Sequence, residues 1–487
     1  MKILIVAYGA EKWNLSIPGV EIITPRRYIT DPRYASTPGT RVLNLSRSYR
    51  YQSNGYYVSL LAAARGHRPM PSVSTMRDLQ GSLYSGYVDG ELDDIIQKNF
   101  APLAGESFTL SIYFGRNLAK RYEKLSLKLF NMLTAPLLRA FFIKTPQGKW
   151  HLKRISAIAL SEVPDDHRPF MLEAMQDYCA RPLRTGNKRP PAPFSLAMLI
   201  NPHDPMPPSN AGAVEQFIRA GAKLGIDVEL IHKDDYTRLL EYDALFIRDT
   251  TQVNNHTYRF ARRAEIEGMP CIDDSQSILR CTNKVYLAEL LAHNHIKTPK
   301  TTIVHSDNIH TAHKTLGFPC ILKQPDSAFS LGVIKVATPE AFCASSEEML
   351  EKSDLIIAQE FLPTDFDWRI GVLAGEPLFA CKYYMAEHHW QIYNKSGKTD
   401  DDRWGMTETF ALADVPPHVL KTALDAANLI GDGLYGVDLK EINGVPYIIE
   451  VNDNPSLDAG IEDEVLGQDL YLRIMQVFRD RIVRLRK

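Results

Sequence analysis

The residues with the clearest chemistry lie in segment 436–455, which reads GVDLKEINGVPYIIEVNDNP. Glu450 and Asn452 are two residues apart in an otherwise apolar run, so both side chains point to one face of a predicted strand. Asp438 lies on the preceding predicted strand. Two carboxylates and an amide oxygen form a hard-oxygen site, which suits Mg²⁺, or alternatively Mn²⁺, shared with substrate phosphates. The alternative interpretation is a polar, solvent-facing side of a hairpin.

The loop between the two strands decides whether Asp438 joins that face. A two-residue loop at Asn443-Gly444 places Asp438 opposite Ile449, on the face away from Glu450. A three-residue loop that begins at Ile442 shifts the pairing and places Asp438 on the face of Glu450. We predict the three-residue loop, because it brings the oxygen ligands together and supplies a glycine where the left-handed conformation is needed.

Positively charged residues precede this hairpin. Lys323 ends an apolar run (PCILKQ), and the loop 325–332 (PDSAFSLG) follows with Ser327 and Ser330. A lysine beside a loop of small residues is typical of phosphate binding, in which hydroxyls and backbone N–H groups hold the phosphate oxygens. A solvated surface lysine is the alternative for Lys323, and also for Lys284 in the first turn of a predicted helix.

Two shorter patterns lie between the lysines and the hairpin. Gln359–Pro363 (QEFLP) ends a predicted strand at a proline. Asp367 and Arg369 share one face of the next predicted strand, in DWRIGVLAG. An ion pair along one strand is the alternative explanation for the second pattern.

Four segments must position these groups. Residues 1–185 read as an N-terminal accessory α/β domain, and 186–193 (GNKRPPAP) has the composition of a linker. Strands and helices alternate over 194–272, which predicts a small parallel α/β sheet, and 273–487 is mixed. The predicted strands are 2–7, 41–45, 150–160, 195–201, 227–232, 242–248 and 268–272, and the predicted helices are 54–65, 118–142, 210–224, 283–293, 417–429 and 470–485.

Composition excludes several classes of partner. The 487 residues are 45% apolar and carry a formal net charge of −2, with no polybasic tract, which argues against nucleic acid and anionic membranes. There is no run of about 18 apolar residues, and the N-terminal apolar run is too short for a secretion signal. The six scattered cysteines form no CxxC pair, which favours free thiols in the cytoplasm.

Taken in order, these patterns resemble an ATP-grasp domain, and most closely the RimK-like carboxylate–amine ligases. Residues 194–272 are similar to the pre-ATP-grasp domain of that family. The segment NLSRSYRYQSNGYYVSLLAAARGHRPMPS is similar to part of the accessory N-terminal domain of a RimK-like subfamily. The resemblance implies an α/β ATP-grasp fold and an ATP- and Mg²⁺-dependent ligase that forms an amide bond through an acyl-phosphate. Glutamate or another amino acid would be one substrate, and a small molecule, peptide or protein the other.

The resemblance also implies roles for individual residues. These are Lys284, Lys323, Ser327 and Ser330 at the phosphates of ATP; the backbone of Glu360, Phe361 and Leu362 at adenine, with Gln359 also binding ATP; Asp367 near the ribose; Arg369 and Lys382 at the reaction centre; Asp438, Glu450 and Asn452 at the metal; and Gln391, Asn394 and Asn454 at the substrate.

Several alternatives stay open at this point. A nucleotide-binding scaffold that does not ligate, or a phosphotransferase of the same fold, would use the same patterns. The polar loop 394–405 is a candidate lid or a plain surface loop. A homo-oligomer is an alternative to a monomer. Five aromatic and basic residues of the first domain could bind an acceptor peptide or simply pack within the domain; they are Arg47, Arg50, Tyr51, Tyr56 and Tyr57.

Overall fold

The computed structural model divides the chain into two compact units, Met1–Asn187 and Lys188–Lys487. The described residues are 2–9, 17–35, 40–79, 90–180, 192–326, 332–386, 389–393 and 405–485. Outside them lie Ser327, Ser330 and Asn394, most of the predicted linker 186–193, and all but the last residue of the candidate lid 394–405. In the described part of the chain, no helix is long and apolar enough to cross a membrane.

The first unit begins with a parallel sheet. Its strands are β1 (Ile3–Ala7), β2 (Val20–Ile23), β3 (Arg41–Leu45) and β4 (Arg68–Met70), in the order β2-β1-β3-β4. The helices here are α1 (Pro25–Thr30), α2 (Asn54–Ala64) and α3 (Val73–Asp78). Because β1 and β3 are buried along their whole length, both faces of the sheet are covered, as is usual for parallel strands.

An antiparallel sheet completes the first unit. Its strands are β5 (Ser107–Tyr113), β6 (Leu137–Lys144) and β7 (Trp150–Ala157), in the order β5-β6-β7, and its helices are α4 (Gly90–Phe100), α5 (Glu123–Met132) and α6 (Arg168–Ala180). The predicted helix over 118–142 is therefore wrong in its second half. Pro136 cannot continue a helix, and the side chains that follow it largely alternate between buried and partly exposed, as they do on a strand.

The second unit opens with the predicted parallel α/β sheet. Its strands are β8 (Phe194–Ile200), β9 (Ile226–Ile231), β10 (Ala244–Arg248) and β11 (Cys271–Ile272), in the order β11-β10-β8-β9, and its helices are α7 (Ala211–Lys223), α8 (His256–Ile266) and α9 (Ser275–Thr282). The strand order reverses between β8 and β10. The loops that follow these two strands therefore open a crevice, which is where ligands bind in such sheets.

A small antiparallel sheet comes next. After α10 (Lys284–His293), its strands are β12 (Thr301–Val304), β13 (Cys320–Lys323), β14 (Val333–Val336) and β15 (Ile356–Glu360), in the order β12-β15-β13-β14. The helices α11 (Ile309–Ala312) and α12 (Pro339–Leu350) contribute to its core, in which Phe342 of α12 packs with Leu322 and Ile356.

A larger antiparallel sheet ends the chain. Its strands are β16 (Phe366–Leu373), β17 (Glu376–Tyr384), β18 (Thr407–Phe410), β19 (Leu434–Ile442) and β20 (Val445–Asp453), in the order β18-β17-β16-β19-β20, and its helices are α13 (Pro417–Ile430) and α14 (Gln468–Leu485). Trp368 and Val437 pack on one face with Ala423 of α13. Phe379 belongs to another core, which includes Phe478 of α14. The predicted α/β class, with additional antiparallel sheets, is confirmed.

Candidate active site

The hairpin formed by β19 and β20 combines a tight turn with a bulge. Ile442 pairs with Val445 across a two-residue turn, in which Asn443 and Gly444 have φ of 53° and 75°. The predicted three-residue loop is therefore wrong, because Asn-Gly adopts the turn whose twist matches a hairpin. Further along, Asp438 pairs with Glu450 while Leu439 pairs with Ile448.

Ile449 is thus an extra residue in β20, and this bulge changes the register of the hairpin. It brings Asp438 to the face of Glu450 and Asn452, which the turn alone would not have done. The Asn452 amide donates to Asp438 Oδ2 at 3.1 Å. The common face of Asp438, Glu450 and Asn452 was predicted, but it arises from the bulge at Ile449 and not from a three-residue loop.

The donor chemistry of this face fits a hard divalent cation. Asp438 and Glu450 offer carboxylate oxygens, and Asn452 carries an amide oxygen. Among the described residues, no group of three or more His, Cys, Asp or Glu side chains is placed to hold a metal. A magnesium ion here would therefore depend on the Asn452 amide and on oxygen atoms from outside the chain, such as phosphates.

Cationic side chains surround these carboxylates. Arg369 donates from Nε and NH2 to the two oxygens of Asp438, at 2.7 and 2.8 Å. The Lys284 ammonium lies 2.7 Å from Glu450 Oε1, and Lys284 is buried. Burial opposes ionisation of Glu450, but the charges of Lys284 and Lys323 outweigh it and hold the pKa of Glu450 below its usual value. Burial also lowers the pKa of Lys323 to about 8, although the charge of Glu450 acts against this effect.

The QEFLP segment and its neighbours line the same cleft as the hairpin. Gln359 is buried and donates to Thr301 Oγ1 at 3.0 Å, while the Glu360 carboxylate accepts from the Lys300 N–H at 2.8 Å. The Lys335 ammonium lies 3.6 Å from the centre of the Phe361 ring. Phe361 and Leu362 both line the cleft.

Asp367 has a partner that the sequence did not reveal. The Lys440 ammonium lies 2.5 Å from Asp367 Oδ1 and 2.7 Å from Thr364 Oγ1. Burial raises the pKa of Asp367, and the charge of Lys440 opposes this rise. Both side chains line the cleft, so Lys440 belongs with the site residues. The signal was available, because Lys440 is two residues after Asp438 on the same strand.

Lys382 does not reach the cleft, and its predicted place at the reaction centre is corrected. It pairs with Trp368, one position away from Arg369, so it points to the opposite face of the sheet. Its ammonium lies over the rings of Phe366, Trp368 and Phe410, at 4.4, 4.8 and 4.8 Å from their centres. These aromatic contacts satisfy the charge of Lys382 away from the site.

The side chain of Asn454 is occupied by structural hydrogen bonds. Its Oδ1 accepts from Arg248 at 2.7 Å, and its Nδ2 donates to the carbonyl of Asp249 at 2.8 Å. Its backbone N–H donates to Asp273 at 2.9 Å. Asn454 therefore ties the end of the hairpin to the parallel sheet. Gln391 also lines the cleft, and its carbonyl accepts from the Ala386 N–H at 2.9 Å.

One cleft of about 1770 Å³ collects most of these residues. Lys284, Lys323, Gln359–Leu362, Asp367, Arg369, Gln391, Asp438, Glu450, Asn452 and Asn454 all line it. The crevice at the reversal of the parallel sheet forms a further wall, through loops 205–210 and 250–254.

An acidic group at the cleft was missed by the sequence analysis. Glu462 is buried, accepts from the Tyr383 hydroxyl, and also accepts from the Asp458 N–H at 2.7 Å. Burial raises the pKa of both Glu462 and Asp458. The Tyr383 ring lies 4.9 Å from the Arg369 guanidinium, so this group adjoins the cations around Asp438. Asp458 and Glu462 follow the hairpin without a periodic pattern, which is why their spacing gave no signal.

Comparison with known proteins agrees with this architecture. A RimK-like ATP-grasp N-terminal domain model matches residues 25–174, and a RimK-like ATP-grasp domain model matches residues 281–477. A probable alpha-L-glutamate ligase of Marinomonas sp. (strain MWYL1) is 26% identical over 283 residues, which cover 54% of this chain and 90% of the relative.

Two further proteins are similar over comparable shares. The alpha-aminoadipate–LysW ligase LysX of Saccharolobus solfataricus is 26% identical over 261 residues, which cover 50% of this chain and 88% of the relative. A RimK domain ATP-grasp protein of Sphaerobacter thermophilus aligns with a TM-score of 0.44 and 16% identity, over 58% of this chain and 98% of that structure. The chain belongs to the RimK-like ATP-grasp family, carries its N-terminal domain, and is an ATP-dependent carboxylate–amine ligase.

Proposed function

We propose that the cleft uses ATP and Mg²⁺ to activate a carboxylate and joins it to the amine of an amino acid. The observation that carries this proposal is the opposition of Asp438 and Glu450 in one cleft with Lys284, Lys323 and Arg369. Oxygen ligands for a cation and fixed positive charges are both needed to handle a nucleotide's phosphates. In this proposal, residues 1–185 form the accessory domain, 194–272 the pre-ATP-grasp domain and 273–487 the ATP-grasp domain.

In the first step a carboxylate oxygen attacks the γ-phosphorus of ATP and forms the acyl-phosphate, while the bond from that phosphorus to the β-bridging oxygen breaks and ADP leaves. The barrier to this step is the repulsion between two anions. In our proposal Lys284 and Lys323 hold the phosphates, while Asp438, Glu450 and Asn452 hold Mg²⁺. When bound, Mg²⁺ would neutralise charge on the β- and γ-phosphate oxygens. With the cation bound, Glu450 would hold it in place of its present contact with Lys284, and Lys284 would lie close enough to contact the phosphates.

The nucleotide's base and ribose would lie beside the QEFLP segment and Asp367. The ring of Phe361 offers a surface for adenine, and the backbone of Glu360, Phe361 and Leu362 offers hydrogen bonds to it. Asp367, held by Lys440, would face the ribose. Trp390 also lines the cleft, and its ring centre lies 6.0 Å from that of Phe361.

The second step needs an amine without its extra proton. We place the substrate ammonium at Asp458 and Glu462, the acidic group of the cleft. Glu462 would accept one proton, which its raised pKa favours. The neutral amine then attacks the acyl carbon, the C–N bond forms, and the bond from that carbon to the phosphate oxygen breaks. Phosphate leaves with the electron pair and takes the second proton, while Arg369 stabilises the negative charge that develops on the acyl oxygen.

The relatives' names support an acidic amino acid as one substrate. One relative is named for glutamate and the other for aminoadipate and the protein LysW. We therefore propose glutamate or a similar amino acid as the amine substrate, and a small molecule, peptide or protein as the carboxylate. Cytoplasmic localisation stays a proposal, supported by the scattered cysteines of the sequence.

The test measures ADP and phosphate release across a panel of amino acids and carboxylates, with the product identified by mass. We expect release to require both substrates, and the product mass to equal their sum less one water. A phosphorylated product would instead identify a phosphotransferase. ADP release that no amine accelerates would contradict the ligase proposal for this cleft.

A further inference from the structure

Tyr383 lies on the cleft side of the large sheet. On β17, Cys381 pairs with Arg369 and Tyr383 pairs with Asp367, both partners being on β16. Side chains that lie opposite each other on neighbouring strands share one face of a sheet, so Tyr383 is on the face of Arg369 and Asp367. Its side chain is partly exposed and lines the cleft. Tyr383 thus lies where the sequence analysis expected its neighbour Lys382.

The hydroxyl of Tyr383 holds the acidic group of the cleft. It donates to Glu462 Oε1, and the Asp458 N–H donates to Glu462 Oε2 at 2.7 Å. Within the described part of the chain, these are the two hydrogen bonds to the Glu462 carboxyl from other residues, and no lysine or arginine forms an ion pair with it. Buried carboxylates are usually paired with a cation. For Glu462, the hydroxyl of Tyr383 is the side-chain donor that stabilises the charged form.

The ring of Tyr383 holds the neighbouring cation. Its centre lies 4.9 Å from the guanidinium of Arg369. Arg369 also donates from Nε and NH2 to the two oxygens of Asp438, so the guanidinium is fixed by two neighbours. One tyrosine therefore contacts both the cation proposed to stabilise the acyl oxygen and the carboxyl proposed to accept the proton of the amine.

We propose that Tyr383 is a positioning residue for the second step, which holds Glu462 and Arg369 at the same acyl carbon. This inference rests on the roles proposed above for Glu462 and Arg369. The amine of an amino acid must give a proton to Glu462 before its nitrogen attacks, whereas Arg369 acts on the acyl oxygen whichever nucleophile attacks. The hydroxyl of Tyr383 is therefore needed for a nucleophile that arrives protonated, and its ring is needed for every nucleophile.

Two nucleophiles separate these contributions. The full-length chain is given ATP, Mg²⁺ and the carboxylate that forms product in the panel of amino acids and carboxylates, together with either the amino acid of that product or hydroxylamine. Hydroxylamine is uncharged at neutral pH, so it needs no proton acceptor before attack. Its nitrogen attacks the acyl carbon of the acyl-phosphate, phosphate leaves with the electron pair, and a proton passes from the nitrogen to phosphate. The product is a hydroxamate, which is measured by its mass.

Tyr383→Phe removes the hydroxyl and keeps the ring. We expect ligation of the amino acid to slow by roughly 10-fold or more, the usual loss for a hydrogen bond to a charged group, while hydroxamate forms at the wild-type rate. Tyr383→Leu removes the ring as well, so hydroxamate formation should also slow. Equal slowing with both nucleophiles in Tyr383→Phe would overturn the role of the hydroxyl, and a wild-type hydroxamate rate in Tyr383→Leu would overturn the role of the ring.

Tyr384→Phe is the matched control. Tyr384 is the next residue of β17 and lies on the opposite face, where its hydroxyl donates to Glu408 Oε2 at 3.0 Å. The same chemical change is thus made at a tyrosine that also holds a glutamate, and both nucleophiles should react at the wild-type rate. Equal rates with the amino acid in Tyr383→Phe and Tyr384→Phe would overturn the inference. A wild type that forms neither product would instead contradict the proposed reaction itself.

The pH profile of ligation adds a measurement that a purely structural role would not change. Burial raises the pKa of Glu462, and the hydroxyl of Tyr383 lowers it. The pKa should therefore rise further in Tyr383→Phe, so the loss of ligation at low pH should begin about one pH unit higher than in the wild type. An unchanged profile in Tyr383→Phe would overturn the inference. The other ionisable groups around Glu462 are the same in both variants; they are Arg248, Arg369, Cys381, Asp458, Asp463 and Tyr471.

Discussion

Asp438 lies directly opposite Glu450 because Ile449 is an extra residue in β20. The two-residue turn at Asn443-Gly444 on its own would pair Asp438 with Ile449 and turn the two carboxylates to opposite faces. The bulge at Ile449, five residues after Gly444, restores the shared face. Bulges of this kind often re-aim side chains next to active sites.

Replacing the carboxylate of Glu450 should slow the reaction strongly without unfolding the protein. We expect Glu450→Gln to lower kcat by about 10²–10³, because it removes a proposed Mg²⁺ ligand and leaves Lys284 without its ion pair. ADP release at saturating Mg²⁺ measures this effect. Glu376→Gln, at an exposed glutamate of β17, is the control and should keep the wild-type rate. Wild-type turnover in Glu450→Gln would remove Glu450 from the site.

Arg369 and Lys382 should respond in opposite ways to substitution. Arg369→Lys loses the two-pronged contact with Asp438, so we expect kcat to fall by about 10². Lys382→Met keeps a long side chain among Phe366, Trp368 and Phe410, so activity should stay near that of the wild type. The free energy of unfolding of the Lys382→Met variant should fall by about 0.5–2 kcal/mol, because the cation–π contacts are lost. Steady-state kinetics measures the activities, and urea unfolding measures the stability. An equal loss of activity in Arg369→Lys and Lys382→Met would show that Lys382 acts in the cleft.

The pKa of Lys323 predicts how ATP use depends on pH. Burial lowers this pKa to about 8, so Lys323 is an ammonium below that pH and loses its charge above it. We therefore expect kcat/KM for ATP to fall as pH rises through about 8. Lys323→Arg should not show this fall, because a guanidinium stays protonated throughout. Identical pH profiles for the wild type and Lys323→Arg would assign the effect to another group.

Arg248 should be among the most important residues for the stability of the second unit. It donates to Ser209, Asn454, and the carbonyls of Pro208 and Pro455, and it is 1% exposed. Arg248→Met removes the donor to Asn454 Oδ1, Ser209 and the Pro455 carbonyl, so we expect the free energy of unfolding to fall by about 3 kcal/mol or more.

Urea unfolding measures the effect of Arg248→Met, and Arg262 offers a matched control. Arg262 lies on the surface and pairs with Glu265 at 3.0 Å. Arg262→Met should cost about 1 kcal/mol or less, as is usual for exposed ion pairs. Similar losses for the two variants would show that the contacts of Arg248 contribute little to stability.

Local patterns predicted much of this fold. Asn210 and Gly225 mark the two ends of α7, since Asn210 caps its start and Gly225 follows its end with a φ of 73°. The strand-to-helix alternation over 194–272 correctly predicted a parallel sheet. The helix predicted over 118–142 is wrong in its second half, because the prediction gave more weight to the apolar spacing than to Pro136. α9 was also missed, since it ends only one residue before α10 begins.

Residue spacing along the chain did not predict every contact of the site. The common face of Asp438, Glu450 and Asn452 was predicted, but the bulge that produces it was not. Lys382 was misplaced because its position relative to Arg369 depends on the pairing of β16 with β17. Asp458 and Glu462 reach the cleft through tertiary contacts, which no local pattern records, whereas the i, i+2 spacing of Asp438 and Lys440 was a signal that the sequence analysis did not use.

The hydrogen bonds around Asn454 determine how the hairpin is held in the second unit. Arg248, Asp249 and Asp273 join the end of β20 to the parallel sheet through buried contacts. The carboxylates of Asp438 and Glu450 therefore lie on strands that are anchored to the parallel sheet, whereas Lys323 lies on the small sheet β12-β15-β13-β14.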